Sequence, residues 1–289
     1  MEWLAGAVGS SVIAGAAYIR KSLSVSGLAA AIVLGTTMYA LGSAIWYGTL
    51  IAFFVSSTLW SKWGKSAKKH VESGYEKSGR RDHGQVLANG GLGLLLCLAN
   101  AAWPHPQWLY AFFGVMASVT ADTWATEIGA LSRKPPRSIK TGRLVAAGTS
   151  GGVSGLGLGA SLAGGLFIGF AAWLLSVALP ADSLAVSSGS LAVSAGSEAA
   201  APLRLLAWGG IAGLAGLVGS LADSWIGATM QLMYRCDSCG RELEQPQHCG
   251  APAVRIRGRA GWNNDAVNFA SSLVGGIVAV LSALTVGLA

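Results

Sequence analysis

Charge is scarce in this chain. Asp, Glu, Lys and Arg make up 11% of its 289 residues, where a soluble domain carries roughly 25%, and that excludes an ordinary soluble globule. Hydrophobic residues reach 52% and the mean hydropathy is +0.52, so the chain reads as an integral membrane protein in a lipid bilayer. A basic n-region is missing as well. Met1 and Glu2 run straight into apolar residues, and no signal peptide is expected. No transit peptide is evident, and the basic, Trp-rich, loop-poor build points to a bacterial plasma-membrane protein. Glycine, by contrast, is abundant at 41 residues, which suits closely packed membrane helices.

A spanning helix needs about 20 mostly apolar residues. Eight segments are predicted to span: 3–19, 24–41, 43–60, 85–103, 108–131, 151–179, 203–234 and 264–288. The expected fold is therefore all-α and polytopic, a single integral domain over 1–289. The first segment is short enough to be re-entrant or interfacial instead. Every second loop is nearly free of basic charge. Of the 20 Lys and Arg, 19 fall after the first span, between the third and fourth, between the fifth and sixth, or between the seventh and eighth; Arg204 alone lies elsewhere. The positive-inside rule makes those loops cytoplasmic and places both termini outside. The opposite connector, 180–201, is Ser/Ala-rich and reads as a flexible linker. The lysines from Lys62 to Lys77 are expected to orient the chain and attract anionic headgroups. No nucleic-acid partner is expected.

Two apolar runs nevertheless carry an aspartate in the same setting: Ala121-Asp122-Thr123-Trp124 and Ala222-Asp223-Ser224-Trp225. With the fifth span ending at 131 and the seventh at 234, the carboxylates lie roughly 13 and 16 Å inside the boundary, on helices running in the same direction. The fourth span opens on Ala88-Asn89-Gly90-Gly91 and the sixth on Thr149-Ser150-Gly151-Gly152, so spans 4–5 and 6–7 read as two parallel copies of one hairpin. A carboxylate at that depth costs about 2.5–3.5 kcal/mol on insertion scales and is not expected to face lipid. Two readings follow. One is a helix-to-helix hydrogen bond aided by Thr123 or Ser224. The other is a metal or proton site in a cavity open to the cytoplasm. Glu127, Asn89 and the run Trp262-Asn263-Asn264-Asp265-Ala266-Val267-Asn268 converge on the same region. Asn263 or Asn264 could serve merely as an N-cap, whereas Asn268 lies past it. Carboxylates and amide oxygens are hard ligands that suit Mg²⁺.

Anion-binding groups lie nearby. Gly148 to Gly157 is glycine-rich, follows a basic loop and opens the sixth span. Backbone N–H groups of Gly151 and Gly152 and hydroxyls of Thr149, Ser150 and Ser154 are candidates for phosphate. The four-residue spacing of Gly151, Gly155 and Gly159 equally fits close helix packing. This run contains no Gly-Lys-Ser/Thr and is not a P-loop. Arg80, Arg81, Arg137 and Arg143 are further phosphate candidates.

Cysteine is rare too: four residues, three of them in one stretch. Cys97 lies in an apolar span and reads as packing. Cys236 and Cys239 have Cys-x₂-Cys spacing, and His248 and Cys249 offer a third and fourth ligand for a structural zinc ion, although adjacent ligands make awkward geometry. Plain reduced thiols are the alternative, and a cytoplasmic location disfavours a disulfide. This Cys-rich loop occupies 235–262.

As a set, GRRDHGQVLANGG, ADTWATEIGALS, PPRSIKTGRLVAAGTSGGVSGLG, LADSWIGATMQ and WNNDAVN resemble the integral-membrane family catalogued as domain of unknown function 92, over about residue 20 to the end. That family includes the chloroplast phytyl-phosphate kinase of plants and an animal protein named transmembrane protein nineteen. The resemblance implies a kinase that uses a nucleoside triphosphate, preferably CTP, to convert an isoprenoid monophosphate such as phytyl or polyprenyl phosphate to its diphosphate. It further implies Mg²⁺ on Asp122 and Asp223, with Asp265 and Glu127 as additional carboxylates. Asn89, Asn264 and Asn268 would contact metal or nucleotide, and Arg80, Arg81, Arg137 and the Thr149–Ser154 segment would hold phosphates. Cytidylyl transfer to a lipid phosphate, and nucleotide-independent transport of a lipid phosphate, remain alternatives.

Overall fold

The computed structural model describes residues 1–66, 68, 79–179 and 201–288. Lys69, Lys77 and all but the last residue of the 180–201 connector lie outside the described residues. The described residues form eight long helices: α1 Glu2–Ile19, α2 Val25–Leu41, α3 Ala44–Lys62, α4 His83–Ala102, α5 Pro106–Gly129, α6 Gly155–Ala178, α7 Ala201–Thr229 and α8 Asn264–Thr285. They match the eight expected segments in order. Six of them (α1, α3, α4, α6, α7 and α8) are long and apolar enough to cross a membrane, and α2 is a shorter apolar helix.

The exception is α5, and its packing gives the reason. Every residue from Leu109 to Ala121 is buried. A helix buried around its whole circumference touches protein rather than lipid, so its sequence need not be lipid-compatible. It is enclosed by α3, α4, α6, α7 and α8. Phe112, Phe113 and Met116 of α5 pack there with Trp46, Ile168 and Trp208. Helix α2 lies against α4 and adds Leu34 and Met38 to this core, while α1 packs on the outer side of α2.

Small residues let α5, α6, α7 and α8 approach closely. A Cβ on Gly169 would lie 2.5 Å from the Trp208 carbonyl oxygen, and one on Gly165 would lie 2.6 Å from that of Ala212. Gly216 lies against Ala117 and Gly219 against Ser118, so the register advances in the same sense on both helices, and α5 and α7 run parallel. The expected stripe of Gly151, Gly155 and Gly159 is not the packing surface. Gly155 and Gly159 face open space, while Gly151 lies outside the helix and packs on Ala228. The four-residue period was right for a close-packed face, but the helix starts later than expected, at Gly155, and presents Gly157, Gly164, Gly165 and Gly169 instead.

Two boundaries move for identifiable reasons. Residues 151–154 pair as an extended segment: β2 Gly152–Val153 lies antiparallel to β1 Arg137–Ser138, and Ser154 then caps α6 by accepting from the Gly157 N–H at 3.0 Å. Helix α7 ends at Thr229, because the apolar residues beyond it form β3 Met233–Arg235. That strand sits between β4 Glu242–Leu243 and β7 Val254–Arg257, with a separate hairpin of β5 Gln247–His248 and β6 Ala251–Pro252.

The four helices that begin at the basic end all carry a side-chain cap: Ser24 on α2, Asp82 with Gln85 in a capping box on α4, Ser154 on α6 and Asn263 on α8. Such caps satisfy backbone N–H groups that a helix cannot pair internally. Replacing Gly169 by Leu is expected to overpack the α6–α7 contact, destabilising by about 1–3 kcal/mol and lowering the melting midpoint in detergent. Gly159→Leu, on the open side of the same helix, should leave the midpoint unchanged.

Candidate functional site

A cavity of about 590 Å³ opens at the end of the bundle where the basic loops gather. That volume lies within the roughly 300–1,000 Å³ of small-molecule sites. Asp122 and Asp223 both line it. Asp122 lies seven residues before Gly129 and Asp223 six before Thr229, a depth of roughly 9–10 Å. Both are shallower than expected because both helices end earlier.

Serines connect the helices that carry them. Ser271 of α8 donates to Asp223 Oδ2 at 2.9 Å, Ser118 of α5 donates to the Ser271 carbonyl at 3.3 Å, and Ser161 of α6 and Ser220 of α7 are 3.0 Å apart. Of the two hydroxyls expected to aid a helix-to-helix hydrogen bond, Thr123 or Ser224, that of Thr123 instead turns back to the Val119 carbonyl of its own helix at 2.8 Å. On α8 the Asn-rich opening divides its duties. Asn263 accepts from the Ala266 N–H at 3.0 Å and is the cap, whereas Asn264, Asp265 and Asn268 line the cavity. The Asn268 Oδ1 is buried and, among the described residues, has no hydrogen-bond partner. A buried acceptor left unmade costs about 1–3 kcal/mol, so a bare amide oxygen beside two carboxylates is a group awaiting a donor or a cation.

Around this floor the cavity gathers Glu127, Arg81, Asn89, Thr149, Ser150, Gly151, Gly152 and Ser154. Arg80 and Arg137 are not brought to it. Arg80 is exposed, and Arg137 is exposed and donates to the Gly142 carbonyl at 2.9 Å. Arg81 differs from its neighbour because its backbone is clamped. Its N–H donates to the Ser22 carbonyl at 3.0 Å, and its carbonyl accepts from the Ser24 N–H at 3.0 Å. Burial holds the Arg81 guanidinium below its ordinary pKa, and Glu127 partly restores it. A second, apolar slot of about 60 Å³ lies between α1, α2, α3 and α4, lined by Ile13, Leu34, Leu50 and Phe53 among others. Arg81, Gln85 and Asn89 line both spaces.

The profile of the integral membrane protein family DUF92 matches residues 8–276. The chain belongs to the DUF92 family. Among its DUF92 relatives, it is 32% identical over 282 residues to Protein PGR of Arabidopsis thaliana, covering 92% of this chain and 90% of that one. An uncharacterized membrane protein of Methanocaldococcus jannaschii is 28% identical over 236 residues, 80% of this chain and 74% of its own. One from Synechocystis is 32% identical over 186 residues, 60% and 70%. No solved structure matches this DUF92 chain.

Several residues of this DUF92 site were not legible as such in the sequence. Lys68, expected at the headgroups with its neighbours, is 1% exposed, pairs with Glu127 and donates to the Trp60 carbonyl at 2.8 Å. Glu127 is therefore engaged by a cation at the cavity wall. Gln231, just before the Cys-rich loop, and Glu244, within it, also reach the cavity. Ser150 donates to Gln231 Oε1 at 2.6 Å, and Gln231 Nε2 donates to Glu244 Oε1 at 2.9 Å. Arg257 donates to carbonyls of Gly227 and Ser150, both at 3.1 Å, and to that of Ala228 at 2.5 Å. It thereby caps α7 and fixes the glycine-rich segment; burial depresses its pKa and Glu242 offsets that. None of these contacts has a signature in local spacing. Lys68→Met should strand Glu127 and cost about 3 kcal/mol, the low end for a broken buried pair because Glu127 faces the cavity. The double variant Lys68→Met with Glu127→Gln should recover part of that loss in thermal unfolding.

Proposed function

We propose that this protein is a prenyl-phosphate kinase, transferring the γ-phosphoryl group of a nucleoside triphosphate, CTP by the family resemblance, to an isoprenoid monophosphate at the cytoplasmic face. The observation that carries the reading is the junction of the two spaces. A polar cavity holding carboxylates and cations shares Arg81, Gln85 and Asn89 with an apolar slot. An amphiphile with an anionic head and a hydrocarbon tail fits such a junction. The slot is far smaller than the polar cavity, about 60 Å³ against 590 Å³, so it would take the root of a chain, and the remainder would run out among the lipids.

Arg81 would hold the acceptor phosphate at that junction, and Asn89 beside it would orient the same group. Ser150, Thr149 and Ser154 offer hydroxyls to the nucleotide phosphates. Asp122, Asp223 and the orphaned Asn268 oxygen form a donor set that fits Mg²⁺, which binds through one or two carboxylates plus substrate phosphates. When bound, Mg²⁺ would neutralise charge building on the transferred group. An oxygen of the acceptor phosphate forms the new P–O bond as the β–γ bridging P–O bond of the donor breaks, and the nucleoside diphosphate departs. The acceptor is already an anion, so no side chain need remove a proton.

Purified protein in detergent with Mg²⁺, [γ-³²P]CTP and a panel of prenyl monophosphates should label a lipid diphosphate. Asp122→Asn and Asp223→Asn should each lower that rate at least about 100-fold, the scale lost with one electrostatic stabiliser. Release of pyrophosphate in place of the nucleoside diphosphate would mean cytidylyl transfer. Absence of any lipid product across donors and acceptors, with folded protein, would remove the enzyme reading.

A further inference from the structure

The Cys-rich loop holds a second site, apart from the cavity. We propose that Cys236, Cys239, His248 and Cys249 bind one zinc ion, and that this ion fixes the β-ribbon forming one wall of the cavity. The zinc assignment is independent of the kinase reading.

The four ligand atoms all lie within 4.8 Å of one another. A tetrahedron with Zn–S of about 2.3 Å has edges of about 3.8 Å, so small side-chain movements close the set on an ion. His248 Nδ1 is 3.4 Å from Cys239 Sγ and 3.2 Å from Cys249 Sγ. Three soft sulfurs and an imidazole select zinc over hard cations. A disulfide would use two thiols and leave the third and the histidine without purpose, and all four cysteines of the chain are free.

The backbone is shaped for ligation from both halves. After Cys236-Asp237-Ser238-Cys239, Gly240 turns back at φ +71°, its N–H donating to the Cys236 carbonyl at 2.8 Å. That turn aims two thiols at one point. The second half solves the difficulty of adjacent ligands. Along a regular strand, His248 and Cys249 would point to opposite faces. Cys249 instead adopts φ +52° and is followed by Gly250 at φ +76°. A left-handed residue of this type is uncommon outside glycine and is retained where its surroundings over-determine it; here it turns the Cys249 thiol toward His248.

The wall function follows from connectivity. The ribbon joins the end of α7, which carries Asp223, to the start of α8, which carries Asn268. It presents Glu244 to the cavity and holds Gln231 and Arg257 against Ser150. Without the ion, the segment between two short sheets would be held by few buried apolar groups, chiefly Met233 and Leu243.

Full-length protein purified without chelator should contain one zinc per chain by elemental analysis. Cys239→Ser and Cys249→Ser should lose it, and Cys97→Ser should keep it. Cobalt substituted for zinc should give the visible bands of tetrahedral thiolate ligation. Stripping the metal should raise tryptic cleavage at Arg235, Arg241 and Arg255 at least tenfold and leave the helices intact. Metal-free wild type with thiols that titrate freely, or with a mass showing a disulfide, would overturn the site. Bound zinc whose removal leaves cleavage unchanged would overturn its role as the clamp of the wall.

Discussion

Two carboxylates on parallel helices, roughly 9–10 Å below the helix ends, cannot be left against hydrocarbon, and the rest of the molecule is arranged around that constraint. Asp122 sits on α5, the one helix closed in by five others. Asp223 sits on α7, beside it. For both to face inward, α5, α6, α7 and α8 must pack at backbone distance, which is why Gly165, Gly169 and Gly216 lie against the carbonyls and Cα atoms of their neighbours. In lipid there is little hydrophobic drive between helices, so close van der Waals packing and interhelical hydrogen bonds carry the association. The serine contacts from Ser118 to Ser271, from Ser271 to Asp223 and between Ser161 and Ser220 supply the second component at the level of the carboxylates.

Placing like charges together requires compensation, and the compensation enters from the loops. Lys68 and Arg81 come from the segment before α4, Arg257 from the ribbon before α8. Arg257 does not line the cavity itself but fixes the glycine-rich segment that does, and Lys62, at the end of α3, lines the cavity as well. Each of the three loop cations is held by backbone carbonyls or by its own clamped main chain: Lys68 on Trp60, Arg257 on α7, Arg81 on the α1–α2 turn. Preset cations at the mouth of a low-dielectric cavity act on an entering anion more strongly than in water, without reorganising when it arrives. The orphaned Asn268 oxygen and the carboxylates of Asp122 and Asp223 give the floor the opposite preference. A phosphate with its own cation satisfies both ends at once.

Much of this was legible because the bilayer makes sequence simple. Eight apolar runs, the alternation of basic loops and two repeats of Ala-Asp-Ser/Thr-Trp were enough to find the helices and to bring Asp122, Asp223, Asn89, Asn264, Asp265 and Asn268 to one end. The errors fall where periodicity stops carrying information. Residues 230–234 are apolar enough to extend α7, but the chain turns after Thr229 and Met233–Arg235 form a strand, because their partners are the distant Glu242, Leu243 and Arg257. Gly151 looked like the start of a helical stripe, but its φ of +82° ends a loop. Lys68 looked like any lysine in a basic run; its burial depends on Glu127, 59 residues on. Arg80 and Arg81 are identical in type and adjacent, and only main-chain pairing to Ser22 and Ser24 distinguishes them.

The depth of the carboxylates carries a final consequence. The hydrocarbon core of a bilayer is about 30 Å thick, so a site roughly 9–10 Å inside one helix end lies near the interface rather than the midplane. A transporter with alternating access places its site near the centre, between two gates. A reaction between a water-soluble donor and a membrane-anchored acceptor places it where this one is, since the donor enters through an open polar mouth while the acceptor's tail remains in lipid. The apolar slot meets the cavity on the side of α1–α4, and the hydroxyls of Thr149 and Ser150 lie on the side of α6–α7. On the proposed reading the two substrates therefore approach from different helices and meet above Asp122 and Asp223, and the outer half of the bundle serves only to hold α5 in place.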